Sequence, residues 1–250
     1  MGFLKSSIQV RARYKRCKSA WEAHLEQTRV MVLRAAQLAP RRRKALVFGA
    51  GLLHDIPLRQ LSEMFELVVL ADIVHLWPCR LEALRYGNVK LLRCDATGAL
   101  GQLSAAARRP ALPPPASRPR EFLDDSVLDF TVSVNLLSQL GWVPGLFLGK
   151  SCSADQIDAL KSQFISAHLE YLRRLPGHTS LITDTVWSAL PQNGTAPAGP
   201  TEEWDVLSGV CLPEPDHAWN WSIAPAPERS PHTDYTARVH AYTDWKSAFG

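Results

Sequence analysis

Short apolar runs alternate along the chain with stretches in which apolar residues recur at helical spacing. A short, mostly apolar run is typical of a strand that is buried on both faces of a parallel sheet. Such runs predict five strands, at residues 45–48, 67–71, 89–94, 128–134 and 180–185. Apolar positions at helical spacing predict two long helices, at residues 17–39 and 155–174, and shorter helices between the strands.

The order of these elements indicates the fold. Strands that alternate with helices are typical of a parallel sheet with helices on both faces. Two further runs, at residues 219–224 and 237–243, lie near the end of the chain and predict an antiparallel edge hairpin. We therefore predict an α/β fold with a Rossmann-like, doubly wound, mostly parallel seven-stranded sheet and an antiparallel edge hairpin.

Charge divides the chain into two predicted parts. Residues 1–44 contain twelve Lys and Arg but two Glu, a net charge of +10, so the remainder of this +4 chain carries −6. We interpret residues 1–44 as a basic helical extension or cap. Residues 45–250 form the predicted α/β domain, with a Pro-rich loop near 109–120 and aromatic C-terminal strands. A basic arm attracts an acidic partner or an anionic membrane surface, or it is a solvated helix face.

Composition argues against several classes of protein. Hydrophobic residues make up 46% and charged residues 21% of the chain, which is typical of a folded domain and not of a disordered one. The five cysteines are scattered and form no Cys-x-x-Cys pair. We therefore expect a reducing, cytoplasmic environment, no disulfide framework and no metal site. The sequence has no nucleic-acid-binding signature, so we do not expect nucleic acid as a partner.

Glycine and aspartate follow the predicted strands. In open α/β sheets, ligands bind beyond the carboxyl ends of the strands. Gly49 and Gly51 follow the first strand, where they allow a sharp turn and a close approach of the backbone to a ligand. Asp72 ends the second strand, where a carboxylate can bind a ribose diol, and Asp95 ends the third, where it can receive the amino group of adenine. Either aspartate serves equally well as a turn former or a helix cap.

Four short motifs at these positions resemble those of the class I S-adenosylmethionine-dependent methyltransferases. They are Leu-Val-Phe-Gly-Ala-Gly at 46–51, Val-Leu-Ala-Asp at 69–72, Arg-Cys-Asp at 93–95 and Ser-Val-Asn-Leu-Leu at 133–137. The resemblance extends over residues 45–187. It implies an enzyme that moves a methyl group from S-adenosylmethionine to an oxygen or nitrogen atom of a small-molecule acceptor.

The same resemblance implies which residues bind the cofactor. Gly49, Ala50 and Gly51 would face its methionine part. Asp72, followed by Ile73, would bind the ribose hydroxyls. The remaining contacts would come from Asp95 and Ala96 beside the adenine, and from Asn135 and Leu136 beneath the transferred methyl group.

Departures from the family pattern keep other functions open. The strand segment 46–48 has no acid before the glycines, where the family usually carries one, and Leu53 stands where a third glycine is often found. A catalytically inactive binding or scaffold protein is therefore an alternative. An NAD(P)-dependent oxidoreductase is another, but the bulky His54 occupies the third glycine position of the dinucleotide fingerprint. We interpret Asp55 as a cap of the following helix, with Pro57 in its first turn.

Two residues are candidates for catalysis on the methyl acceptor. His24 lies on the predicted N-terminal helix, on the same face as Thr28, and is either a general base or a half-exposed helix residue. Gln139 follows the fourth strand and either orients a substrate through its amide or caps the next turn. Aromatic residues concentrate beyond residue 186, where they line a pocket for a flat or cationic acceptor or pack the edge strands.

Overall fold

A computed structural model of the chain describes residues 1–106, 117–149, 151–192, 200 and 202–249. Its helices are α1 Phe3–Arg16, α2 Lys18–Leu38, α3 Leu58–Met64, α4 Trp77–Ala83, α5 Leu100–Ala106, α6 Trp142–Leu148 and α7 Ala154–Arg174, and Leu137–Gln139 and Ser247–Phe249 form short 3-10 turns. Its strands are β1 Lys44–Phe48, β2 Leu67–Asp72, β3 Val89–Arg93, β4 Leu128–Val134, β5 His178–Pro191, β6 Glu202–Asp205, β7 His217–Ala224 and β8 Thr233–Tyr242.

The strands form one sheet in the order β3-β2-β1-β4-β5-β8-β7, and β6 pairs with β5 outside this path. The first five strands are parallel, whereas β8 runs antiparallel to both β5 and β7. Phe48 at the end of β1 pairs with Ala71 on β2 and with Ser133 on β4. The carboxyl ends of these three strands therefore lie side by side, at the point where the chain order reverses. This is where ligands bind in doubly wound sheets.

Each face of the sheet has its own hydrophobic core. Alternate residues of a strand point to opposite faces, so neighbouring positions of β1 contribute to different cores. Ala45 and Val47 join the core beneath α2 and α3, whereas Leu46 and Phe48 join the core beneath α5 and α7. This arrangement confirms the predicted doubly wound fold with its antiparallel edge pair, and it explains why the runs of β1 and β2 are almost wholly apolar.

Several elements differ from the sequence-based expectation. The short strand β6 was not predicted, because its four residues include a single apolar side chain, and the helical extension predicted for residues 1–44 begins with a separate helix, α1, ahead of the helix expected at 17–39. The strand β5 is longer than the predicted segment 180–185, because its second half pairs with both β6 and β8. Most of the expected Pro-rich loop at 109–120 lies outside the described residues. Among the described residues, no helix combines the length and apolar character needed to cross a bilayer.

The turn after β1 depends on a glycine. Gly49 has a φ angle of +76°, in the left-handed region that favours glycine. A Cβ atom at this position would lie 2.3 Å from the carbonyl oxygen of Val134 on β4. The turn therefore lies against β4 only because residue 49 has no side chain.

We predict that Gly49→Ala destabilises the protein by about 2–4 kcal/mol, because it combines backbone strain with overlap against main-chain atoms. Denaturant unfolding measures the change in the free energy of unfolding. Gly101→Ala is the matched control, since Gly101 lies in α5 with open space around it. We expect this control to be neutral or to stabilise by up to about 1 kcal/mol. An equally small effect at Gly49 would contradict the close approach to β4.

A buried histidine lies in the core between α7 and β4. His168 is fully buried, its Nε2 atom lies 3.0 Å from Oγ of Ser133, and its ring packs edge-on against Phe48. Burial lowers the pKa of His168 from 6.5 to about 4. The unfolded chain therefore takes up this proton at a higher pH than the folded protein does. The stability that neutral His168 contributes is present above pH 6.5 and is lost as the pH falls towards 4.

We predict that His168→Gln makes stability less sensitive to acid. Between pH 6.5 and pH 5, the free energy of unfolding of the wild type should fall more steeply than that of the variant, by up to about 1.4 kcal/mol per pH unit. Urea unfolding across this range measures both slopes. His232→Gln, at an exposed position, is the control. Equal slopes for the wild type and His168→Gln would contradict the lowered pKa.

Candidate functional site

A pocket opens at the carboxyl ends of β1 to β4, and helix α1 covers part of it. The turn after β1, the ends of β2 and β3, and the residues after β4 form its floor and walls, while α2 and β7 close one side. Every cofactor-contacting residue suggested by the sequence lines this pocket except Ala50, which is buried behind the turn. These lining residues are Gly49, Gly51, Asp72, Ile73, Asp95, Ala96, Asn135 and Leu136, and the two candidates for catalysis, His24 and Gln139, line it as well.

The carboxylate of Asp72 lies beside the glycine turn. Its Oδ2 atom accepts a hydrogen bond of 2.9 Å from the backbone N–H of Gly51, and its Oδ1 atom accepts one of 3.0 Å from Val74. Among the described residues, no Lys or Arg forms an ion pair with it. Each carboxylate oxygen can accept a second hydrogen bond. Asp72 therefore supports the turn and still has acceptor capacity for a ligand.

Asp95 holds the turn that leads into α5. Its Oδ1 atom accepts hydrogen bonds from the N–H and the hydroxyl group of Thr97, and its Oδ2 atom accepts one of 2.8 Å from the N–H of Leu100. This is the turn-forming role that the sequence left open beside the adenine-binding one. Asp95 also lines the pocket. Its carboxylate thus holds the wall next to Ala96 in shape.

His24 connects the N-terminal helices to the edge of the sheet. Its exposed fraction is 2%, so the expectation of a half-exposed helix residue is wrong. Its Nδ1 atom accepts a hydrogen bond of 3.1 Å from the indole N–H of Trp219, and its ring stacks on Trp221 with 4.0 Å between ring centroids. Burial lowers the pKa of His24 to about 3. The imidazole is therefore neutral near pH 7, and the lone pair on Nδ1 is already in use.

Of the aromatic residues near the end of the chain, some line the pocket and others pack in the core, so both roles that the sequence left open occur. Trp221 lines the pocket, and its ring contacts His24 and Trp21. Trp245 is fully buried in the core. Within the described part of the chain, no group of His, Cys, Asp and Glu side chains is arranged to hold a metal ion.

Asp55 and Asn135 face each other across the turn. Asn135 has a φ angle of +47°, and its Nδ2 atom donates a hydrogen bond of 2.8 Å to Oδ2 of Asp55. Burial raises the pKa of Asp55. The expected capping role of Asp55 is wrong, because helix α3 begins after Pro57 without a side-chain cap. Asp55 lines the pocket instead, and its place four residues after Gly51 was the signal in the sequence.

The N-terminal helices contact the same loop from above. The guanidinium group of Arg29 donates two hydrogen bonds, of 3.1 Å and 2.9 Å, to the carbonyl oxygen of His54. The ring of Tyr14 stacks on the His54 imidazole with 3.7 Å between centroids. Arg16 at the end of α1 forms a bidentate ion pair with Glu228. The cover of the pocket is therefore held both by the glycine loop and by the segment between β7 and β8.

Comparisons with known proteins gave matches at the level of structure alone. No family model matches the chain, and no curated protein matches it. DhpI, in a complex with SAM and HEP, is 15% identical over 74% of this chain and 67% of that one, with a TM-score of 0.39. The N-methyltransferase NodS from Bradyrhizobium japonicum is 10% identical over 87% and 96%, with a TM-score of 0.39. The 1,6-didemethyltoxoflavin-N1-methyltransferase of Burkholderia thailandensis is 14% identical over 96% and 90%, with a TM-score of 0.35.

The strand order is more informative than these distant matches. Five parallel strands in the order 3-2-1-4-5 are followed by an antiparallel strand inserted between β5 and β7. The glycine turn follows β1 and an aspartate ends β2, as in the motifs that first suggested the resemblance. The chain has a doubly wound α/β fold with an antiparallel edge pair, and in these features it resembles the class I S-adenosylmethionine-dependent methyltransferases.

Proposed function

We propose that this protein is an S-adenosylmethionine-dependent methyltransferase that transfers a methyl group to an oxygen or nitrogen atom of a small-molecule acceptor. The observation that carries the proposal is the position of Asp72. Its carboxylate ends β2, accepts the N–H of Gly51 and lines the same pocket as the turn after β1. A carboxylate at this position can accept hydrogen bonds from both hydroxyl groups of a ribose.

The residues around Asp72 fit a nucleoside linked to an amino acid. A Cβ atom at Gly51 would lie 3.5 Å from Oδ2 of Asp72, which is an ordinary van der Waals distance. Because Gly51 has no side chain, the turn is open towards the pocket beside Asp72. Ile73, Ala96 and Leu100 contribute apolar wall on the side of β2 and β3, where a flat base can pack. When bound there, S-adenosylmethionine supplies an electrophilic methyl group on its sulfonium sulfur.

The residues on the acceptor side are suited to orientation. His24 uses Nδ1 to accept the Trp219 N–H, so a neutral imidazole carries its own proton on Nε2 and has no lone pair free for the acceptor. We therefore assign His24 a positioning role, in which its ring holds Trp221 at the pocket wall. Gln139 is exposed at the rim and donates a hydrogen bond of 2.5 Å to the carbonyl oxygen of Asn135. We propose that its amide orients the acceptor.

We predict that the full-length protein binds S-adenosylhomocysteine saturably and does not bind reduced nicotinamide dinucleotide. Asp72→Asn should weaken S-adenosylhomocysteine binding about 10- to 100-fold, because hydrogen bonds to a charged group are lost. Isothermal titration calorimetry measures these affinities. Glu63→Gln is the matched control, since Glu63 is an exposed carboxylate paired with Arg59 on α3 and does not line the pocket.

Two results would count against the proposed function. Absence of S-adenosylhomocysteine binding by the wild type would favour the binding or scaffold protein, whose partner would be sought through the basic residues 1–44. Binding that is as strong in Asp72→Asn as in Glu63→Gln would remove Asp72 from the ribose site.

A further inference from the structure

Apolar residues occupy the position where an acid was expected. The last three residues of β1, Leu46, Val47 and Phe48, are apolar and buried. No carboxylate at the end of this strand can therefore receive the ammonium group at the amino-acid end of the cofactor. That group is a cation with three N–H donors, and it requires acceptors inside the pocket.

Three backbone acceptors near the turn already have hydrogen-bond partners. The carbonyl oxygen of Gly51 accepts the Cys79 thiol at 2.9 Å, and that of Ala50 accepts the N–H of Leu53. The carbonyl oxygen of Asn135 accepts the Gln139 amide. These contacts hold the loop in place, and none of them supplies a negative charge.

Asp55 supplies a negative charge at the same turn. Its carboxylate lines the pocket and has the Asn135 amide as its side-chain hydrogen-bond partner. Within the described ranges, no Lys or Arg forms an ion pair with it. Arg29 acts on Asp55 through its charge, but its guanidinium group donates to the carbonyl oxygen of His54 and to Glu26.

A carboxylate withdrawn from water without a cation is costly to the folded protein. The raised pKa of Asp55 is consistent with that cost. A cationic ligand group beside the carboxylate would offset it, whereas a ligand without such a group would leave it in place. The pocket is therefore selective at this point for the charge of its ligand.

The geometry points to Asp55 as the residue that receives the ammonium group of the cofactor's amino-acid end, in place of an acid on β1. This inference rests on the proposed function and adds a specificity-determining residue to it. The alternative is that Asp55 does no more than hold Asn135 by a hydrogen bond. Asp55→Asn separates the two roles, because the amide retains the capacity to hydrogen-bond and loses the charge.

The experiment is a calorimetric titration of full-length wild type and Asp55→Asn with two ligands. One is S-adenosylhomocysteine, and the other is its analogue in which hydrogen replaces the amino group. We expect Asp55→Asn to bind S-adenosylhomocysteine about 10- to 100-fold more weakly than the wild type does, and to bind the analogue equally well. Asp72→Asn is the matched control, since it should weaken both ligands to a similar extent. Unweakened binding of the analogue also shows that Asp55→Asn is folded.

The possible results separate the failure of this inference from the failure of the proposed function. If the wild type binds neither ligand, the proposed function is wrong and the inference falls with it. If the wild type binds S-adenosylhomocysteine and Asp55→Asn binds it as tightly, the inference is overturned and the proposed function stands. If Asp55→Asn weakens both ligands equally, Asp55 shapes the loop and does not recognise the ammonium group.

Discussion

The contact between the turn after β1 and the backbone of β4 is the constraint on which the site depends. Gly49 lies against the carbonyl oxygen of Val134, with no space for a side chain between them. This close approach puts the turn directly beside Asn135, the first residue after β4. Because β1 also pairs with β2, the same turn lies beside Asp72. One glycine thus brings polar groups from three strands into one pocket.

The second determinant of the site is the packing of α2 against the edge of the sheet. Trp21 donates a hydrogen bond of 3.1 Å to the carbonyl oxygen of Ile223, and His24 accepts one from Trp219, so two successive turns of α2 are attached to β7. A buried imidazole without a hydrogen-bond partner would destabilise the folded protein. Because the His24 imidazole has a partner in Trp219, this contact fixes the rotation of α2. The edge strands therefore contribute to the pocket through α2 and through Trp221, although they lie far along the chain from the glycine turn.

Two titratable groups on either side of Asn135 have different consequences. His24 is neutral, its Nδ1 atom accepts the Trp219 N–H and its ring stacks on Trp221, so it provides shape. Asp55 has one amide partner among its neighbouring side chains and a pKa that burial raises, so its carboxylate is the group that gains most from a cation. His24 is thus a structural residue, whereas the charge of Asp55 is what makes it a candidate for recognition of a ligand.

The sequence by itself determined the sheet and the chemistry at the ends of its first three strands. Apolar runs such as 45–48 and 67–71 that alternate with helices indicate strands buried in a parallel sheet, and the residues after each run then gather at one edge. Tertiary structure alone decided that His24 is buried, because the two tryptophans that cover it are almost 200 residues away. It also decided that Asp55 faces Asn135 and does not cap α3, since a local pattern contains no information about a partner 80 residues distant. The conformational preferences of local sequence determined the helices and strands, and the close packing of distant segments determined the environment of each side chain.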